Sequence, residues 1–543
     1  MSKTVMKGVR LLLLFLGLSV FAGIQFAEAQ SKDRLLYVPG EILVKFKADL
    51  TNDAKILLKN EYRLELLKRF NRIDVEHLRI LSDLSVEEIT NKLKASGIVE
   101  YAEPNYYRYL NAGPNDPRYP EMWGLNNTGQ TGGTLDADID APEAWDIVTG
   151  DPNFVVADID SGLDMAHPDL AANVWTNPDE IPGNGIDDDG NGYMDDVHGW
   201  DFSGGDNDPS DTVAVCGGHG THTSGTIGAI GNNSIGVTGI NWNVKIMPLK
   251  VFKQVLFIFC SASDSDIISA IEYAADKEVK VSNNSYGGGA YSQALYDAIK
   301  ASKSLFIAAA GNEGNNNDTN PSYPASYDLN NIIAVAATDH NDALASFSNY
   351  GVTSVDIAAP GVNILSTTPN NTYSFYNGTS MATPHVVGAA SLLWADDQSL
   401  TVNELKWRLL EGVDSKGLPV LSSGRLNINN SLNLPPPLVT VDLSPLGSTN
   451  VPRGGTVSYN ILITNQSPET QNVKVSIVAQ MPNGDEIILN GPTTISITAG
   501  QVVSRTFSRQ VPINAQTGDY TLFGRSEITS QSFDEDPVVY VIY

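Results

Sequence analysis

The sequence predicts an α/β core built on a parallel sheet flanked by helices, preceded by a small α+β unit and followed by an antiparallel β-sandwich. Three observations carry this expectation. Between about residues 115 and 433, short and wholly apolar runs alternate with segments of helical spacing, the pattern of buried parallel strands joined by helices. Ahead of that region two strand-helix pairs fit within about 80 residues, and behind it short alternating strands are punctuated by turns.

The elements follow in order. Residues 1–29 carry basic side chains up to Arg10, an apolar run from Leu11 to Phe21 and the small-x-small triplet Ala27-Glu28-Ala29, the marks of a secretory signal peptide. A membrane anchor needs about 20 apolar residues, and this run is shorter. No cysteine follows it to carry a lipid, so a soluble, exported and monomeric product is expected. In the α+β unit, residues 30–112, Glu41 to Lys47 alternates like a strand and Asp53 to Phe70 carries leucines at helical spacing. Ile73 to Ile80 reads as a second strand, Ser85 to Ala95 as a helix with a Ser85–Glu88 capping box, and Val99 to Tyr109 as an extended tail. In the core, residues 113–433, Phe154–Ala157, Val244–Val251, Ser304–Ala310 and Ile332–Ala336 are expected as buried strands. Ser265–Ala275 and Thr383–Trp394 are expected as helices. Leu434-Pro435-Pro436-Pro437 is a stiff linker, and residues 438–543 form the sandwich, with strands such as Thr456–Thr464 and Asn472–Ala479.

The net charge of −29 is unevenly placed. Residues 1–112 are nearly balanced, whereas no Lys or Arg occurs between Arg118 and Lys245, a stretch in which eleven acidic residues fall from Asp179 to Asp211. Nucleic-acid binding, which rests on basic patches, is disfavoured, and metal cations are favoured. Asp187, Asp189, Asn191 and Asp195 stand at the first, third, fifth and ninth positions of a loop with Gly192 at the sixth, an EF-hand-like oxygen pattern for Ca²⁺ whose twelfth position is His198 rather than Glu. The two cysteines, Cys216 and Cys260, form either one bridge or two free thiols.

Three separated segments each offer one member of a nucleophilic triad: Asp160-Ser161-Gly162, His219-Gly220-Thr221-His222 and Gly378-Thr379-Ser380-Met381-Ala382-Thr383-Pro384. A serine hydroxyl needs an imidazole to take its proton and a carboxylate to hold that imidazole. The order Asp, His, Ser and the surrounding small residues resemble the subtilisin-like serine proteases, in their thermitase-like branch. That resemblance implies a secreted, calcium-stabilised serine endopeptidase acting on protein or peptide substrates, with residues 30–112 as a ferredoxin-like, inhibitor-type propeptide that includes Ala102-Glu103-Pro104-Asn105-Tyr106. It implies Asp160, His219 and Ser380 as the triad, Asn312 as an oxyanion donor, and His222 and His385 as structural histidines. It also implies Ser285, Tyr286 and Gly287 as a substrate-binding edge, Ala309, Ala310 and Gly311 as the lining of the primary pocket, Asp201, Asp206 and Asp208 as a second calcium loop, and Asp169 with Asn233 as a tight calcium site. Autoprocessing is expected between about Leu110 and Pro114. Two departures stand out: Asp158 occupies a normally apolar position, and Gln254 to Cys260 is apolar where the family has a Gly/Ser-rich loop. The alternative class is an inactive subtilase fold serving as a calcium-dependent binding module. A nonpeptidase hydrolase is disfavoured, because Ser380 lacks a G-x-S-x-G elbow.

Overall fold

A computed structural model describes residues 37–47, 50–82, 84–106, 113–214, 216–255, 259–435, 437–528 and 532–543. The leader 1–29, residues 110–112 of the expected processing region and residues 256–258 of the apolar stretch lie outside the described residues. The chain divides into two compact units, the break falling between residues 111 and 112.

The first unit is a four-stranded antiparallel sheet with two helices: β1 (Tyr37–Phe46), α1 (Asn52–Glu61), β2 (Leu64–Phe70), β3 (Val75–Ile80), α2 (Val86–Ala95) and β4 (Val99–Tyr106), in the order β2-β3-β1-β4. Ile42, Val44, Leu78, Ile89 and Leu93 are fully buried between helices and sheet. The capping box at Ser85 forms with both bonds present. One expectation is corrected, and one, the extended stretch from Val99 to Tyr109, is met as far as Tyr106, residues 107–109 lying outside the described residues. The helix expected over Asp53–Phe70 ends at Glu61, because Arg63 takes a left-handed turn at φ 52° and Leu64 to Phe70 pairs with β3. The extended tail from Val99 is a paired strand, β4, lying against β1.

The second unit holds a nine-stranded sheet. Its strands are β5 (Gly150–Asp160), β6 (Trp200–Asp201), β7 (Asn243–Lys250), β10 (Val281–Asn284), β11 (Leu305–Ala309), β12 (Ile332–Thr338), β13 (Ile357–Pro360), β16 (Asp414–Ser415) and β17 (Gly424–Arg425). Their order is β16-β17-β13-β12-β11-β10-β5-β7-β6, and every pairing is parallel except the edge pair β16–β17. Strands β5, β7, β11 and β12 occupy the expected apolar runs, buried from both sides as parallel strands are. Two hairpins lie outside this sheet, β8 (Lys253–Val255) with β9 (Phe259–Ser261) and β14 (Ile364–Thr368) with β15 (Thr372–Tyr376). One face of the sheet packs on α3 (His219–Gly228) and α6 (Thr379–Asp396), the other on α4 (Asp264–Asp276) and α5 (Gln293–Ser302). The chain runs from β5 outward to β7 on one side and returns to β10 on the other, so the carboxyl ends of β5 and β10 flank a topological switch point, where open α/β sheets place their sites.

Helix α6 begins at Thr379, four residues before the expected start, with Pro384 inside it. A proline there costs one intrahelical bond, the one its missing N–H would give to the carbonyl of Ser380.

Beyond residue 437 lie strands from Val439 to Ile542 in two largely antiparallel sheets, one of three strands and one of five. They share one core that includes Val439, Tyr459, Ile461, Val473 and Tyr540. This region packs on the sheet-and-helix region through a polar seam. Lys300 pairs with Asp485 across it, and Asn403 Nδ2 donates to Glu535 at 3.3 Å, while within the C-terminal sheets Arg525 pairs with Glu486 and with the buried Glu535. The Glu535 amide donates to Glu404 Oε1 at 3.1 Å, while the other oxygen of Glu404 accepts from the Thr401 amide at 2.8 Å to cap a helix.

Candidate active site

Asp160 is the last residue of β5 and is 2% exposed. His219 opens α3, and its Nδ1 donates to both carboxylate oxygens of Asp160, at 2.8 and 2.9 Å. That bond fixes the tautomer in which Nε2 is the free acceptor. Burial alone would push the imidazole pKa down, but the Asp160 charge and its hydrogen bond, aided by Asp158 and Asp211, leave it raised. Gly220 must be glycine: a Cβ there would stand 2.2 Å from the Gly162 carbonyl oxygen and 3.2 Å from the Asp160 Cβ. The Gly220 amide donates to Ser161 Oγ at 2.8 Å, and Ser161 in turn lies 3.3 Å from Asp211. Asp211 also accepts from the amide and hydroxyl of Thr221, and burial pushes its carboxyl up to about 7. Sequence reading gave Asp211 no role beyond acidity, since nothing in its neighbours marks it as a buried support for the His219 loop.

Ser380 is the second residue of α6, with its amide among the first-turn N–H groups that a helix leaves without an internal acceptor. Its hydroxyl donates to the carbonyl of Ser285 at 3.0 Å, and the Ser285 hydroxyl lies 3.0 Å from the Ser380 carbonyl left open by Pro384, sharing its one proton between that carbonyl and Asn283 Oδ1 at 3.1 Å. Asn312 sits beside the same turn. Its Oδ1 accepts from the Thr379 amide at 2.9 Å and from the Thr379 hydroxyl at 3.1 Å, which leaves its Nδ2 as the outward donor. Gly311, at φ 115°, makes that approach: a Cβ would meet Asn349 Nδ2 at 2.3 Å. Replacing Asn312 by alanine is expected to lower kcat by about 10²–10³-fold, the cost known for this kind of donor in subtilisin, with KM little changed. Steady-state kinetics on a chromogenic peptide checks it.

The two remaining histidines of these motifs are buried and neutral. His222 donates to backbone carbonyls, stacks on Tyr376 at 4.3 Å and is depressed to about 3 by burial; His385 bonds the Met381 carbonyl at 2.8 Å and is depressed to about 4 for the same reason.

A cavity of about 400 Å³ opens beside Asp160 and His219, walled by Ser285, Tyr286 and Gly287 and by Phe252, Ile267, Leu295, Tyr323 and Tyr327. Ala309 and Ala310 do not line it: they are 2% and 0% exposed in the end of β11, and only the Ala309 carbonyl faces the edge segment, 3.7 Å from where a Gly287 Cβ would be. The described part of the apolar stretch is the β8–β9 hairpin, with Phe259 61% exposed. Cys260 of that hairpin is bonded to Cys216, three residues before His219, so the question of one bridge or two thiols resolves to a disulfide that also lines the cavity. The native, unreduced protein is accordingly expected to take up no iodoacetamide, and two equivalents after reduction and unfolding, as read by mass spectrometry.

The predicted metal ligands fall into three places. Asp187 and Asp189 come together with Glu180, which the sequence reading missed, so that one oxygen from each lies within 4.8 Å of the others. Glu180 Oε2 is buried with no hydrogen-bond partner. Asp195 does not join them: its carboxylate accepts from the amides of Asn184 and Gly185 at 3.1 and 3.0 Å, and Asn191 caps through Asp189 and Asp196. Lys277 pairs with Asp189 and, against the effect of burial, holds that carboxyl below its usual range. In the second loop Asp201 and Asp206 face each other across Gly204, and Lys250 lies 2.9 Å from Asp201; Asp208 instead accepts from the Ser210 amide. In the third place Asn233 Nδ2 and the Val237 amide donate to buried Asp169 at 2.9 and 3.0 Å. Asp116, a second residue missed from sequence, accepts from the amides of Asn232 and Asn233; burial and then the charge of Asp169 raise its carboxyl. An all-oxygen donor set with an orphaned carboxylate oxygen and facing carboxylates fits a hard cation such as calcium.

The chain matches the subtilase family over residues 151–425 and the fervidolysin N-terminal prodomain over residues 25–105. A thermophilic serine proteinase of Bacillus sp. (strain AK1) is 35% identical across 67% of this chain and 80% of its own. Thermitase of Thermoactinomyces vulgaris is 40% identical across 48% of this chain and 81% of its own, and an extracellular protease of Xanthomonas campestris pv. campestris is 32% identical across 72% and 71%.

Proposed function

The chain belongs to the subtilase family as a serine endopeptidase with an N-terminal prodomain, and from that premise we propose that it is exported, held together by calcium and made as a precursor inhibited by its own residues 30–112. The observation that carries the chemistry is the two-pronged bond from His219 Nδ1 to Asp160, with Ser380 on the neighbouring helix start.

In this reading the Ser380 hydroxyl leaves the Ser285 carbonyl, turns to His219 and gives its proton to Nε2 as Oγ bonds to the substrate carbonyl carbon. The oxygen that gains charge is met by Asn312 Nδ2 and the Ser380 amide. His219 then passes the proton to the leaving amine as the C–N bond breaks, and a water, deprotonated by the same imidazole, releases the acyl group and restores Ser380. Asp160 stays ionised throughout and stabilises the imidazolium. Ser285, Tyr286 and Gly287 offer an edge on which an extended peptide adds as a strand, so affinity comes chiefly from the main chain. Calcium would be held by Glu180, Asp187 and Asp189, by Asp201 and Asp206, and by Asp116, Asp169 and Asn233. It supplies charge neutralisation that ties these loops down. Export is supported by the signal-like residues 1–29 and by the absence, among the described residues, of any helix long and apolar enough to cross a membrane.

A fluorophosphonate probe tests the reading. Stoichiometric labelling that maps to Ser380 is expected. A folded, unlabelled protein would favour the calcium-dependent binding module instead.

A further inference from the structure

The family resemblance leaves one buried group without a task. Asp158 lies on β5 two residues before Asp160 and is 2% exposed. An isolated carboxylate there is costly, yet this one is fully engaged. Thr223 and Ser224 of α3 donate their hydroxyls to its Oδ2 at 3.0 and 2.5 Å. On the neighbouring strand Asn283, in parallel register with it, donates Nδ2 to its Oδ1 at 2.8 Å. Those partners are themselves buried, at 0% exposure, and come from different elements, so the carboxylate organises a polar cluster beneath the switch point.

That cluster leads to the nucleophile. With its amide nitrogen committed to Asp158, Asn283 must present Oδ1 on the other side, where the Ser285 hydroxyl lies 3.1 Å away. The same hydroxyl lies 3.0 Å from the Ser380 carbonyl, the acceptor stranded by Pro384, so its single proton is shared between Asn283 Oδ1 and that carbonyl. The chain of contacts is therefore Asp158, Asn283, Ser285, Ser380. We propose that Asp158 is a positioning residue for the endopeptidase reaction, fixing the Asn283 amide and through it the Ser285 side chain that holds the turn bearing Ser380. This rests on the peptidase reading above.

Charge sets the limit on a pH readout. The groups that titrate around this site are Asp160 on the same strand, His219 on α3 and Asp211 on the segment before it. Burial and then the Asp160 charge push the Asp158 carboxyl well above the carboxylate range, and ionised Asp158 in turn supports the protonated form of His219. Only neutral His219 can take the serine proton. Removing the charge at 158 lowers the imidazole pKa only where Asp158 is ionised, above its own raised pKa, so the acid limb of kcat/KM moves little.

The test uses the full-length protein, matured by itself or by added peptidase, with Asp158→Val and Asp158→Asn. Asp158→Val takes the acceptor from the Ser224 hydroxyl and the Asn283 amide and leaves Thr223 only the Gly220 carbonyl at 3.0 Å. It is expected to lower kcat and the rate of fluorophosphonate labelling by about 10- to 100-fold, the scale of a misplaced reacting group, with KM within about twofold. Asp158→Asn keeps an acceptor of the same shape without the charge: most of kcat is expected to return, with the acid limb little displaced. Should Asp158→Val not fold, Ser285→Ala carries the test: it removes the last link before the turn bearing Ser380 and is expected to lower kcat and labelling by the same 10- to 100-fold, about the scale of a misplaced reacting group, with KM within about twofold. Normal kcat and labelling in folded Asp158→Val, or in Ser285→Ala where Asp158→Val does not fold, or an Asp158→Asn as slow as Asp158→Val, would each overturn the proposal. Wild-type protein that resists labelling would overturn the peptidase reading and this inference together, whereas labelled wild type with an indifferent Asp158→Val overturns only the latter.

Discussion

Ser380→Ala is expected to lose about 10⁶-fold in kcat on a peptide substrate, the scale reached when the nucleophile of such a triad is removed alone. What remains is water attacking within an intact oxyanion site. The fold should be indifferent, because the hydroxyl makes one partly buried bond, to the Ser285 carbonyl, and the buried side chains of α6 around it are untouched. The same variant, purified as precursor, should stay uncut near residues 110–114, where the native chain is expected to process itself. Activity within tenfold of wild type, or maturation of the pure Ser380→Ala precursor, would refute the assignment.

Calcium removal is expected to have the largest effect on stability. An ion that binds only the folded state adds RT ln(1 + [L]/Kd), about 2.7 kcal/mol per site at a hundredfold excess over Kd. Its loss also sets Glu180 against Asp187 and Asp189, and Asp116 against Asp169, with no cation between them. The unfolding midpoint should fall by several degrees in excess chelator, measured on Ser380→Ala to exclude self-digestion. Mg²⁺ should restore it poorly, because the smaller ion demands near-ideal octahedral geometry and dehydrates reluctantly. An unchanged midpoint would show that the lysine pairs at Asp189 and Asp201 already suffice.

The triad segments and the strands β5, β7, β11 and β12 were legible because their signals are local: a nucleophile wrapped in small residues, or an apolar run too short for a helix. Strand β2 was not, since Leu64, Leu66 and Leu67 fit both periods and only pairing with β3 decides. Glu180 was missed because it stands seven residues ahead of the loop whose spacing was being counted, and Asp116 because Pro-Asn-Asp-Pro reads as an ordinary turn. The partner of Cys216 lies 44 residues away on a hairpin, a distance that spacing alone cannot bridge. Asp158 was visible as an oddity from sequence, but its value depends on Thr223, Ser224 and Asn283, which only the tertiary fold brings to it.

The polar seam at Glu404 makes the joined regions proton-linked. Burial pushes the Glu404 carboxyl up to about 7, and that of Asp534 on the same strand as Glu535 up to about 6. Both stand above the values they take in an unfolded chain, so folding takes up protons here. Their contribution to stability is complete in acid, declines as pH climbs from the ordinary carboxylate range, and is gone above about 7. In alkali the seam therefore carries uncompensated charge, and the C-terminal sheets should be the part of the molecule whose amide hydrogens exchange first.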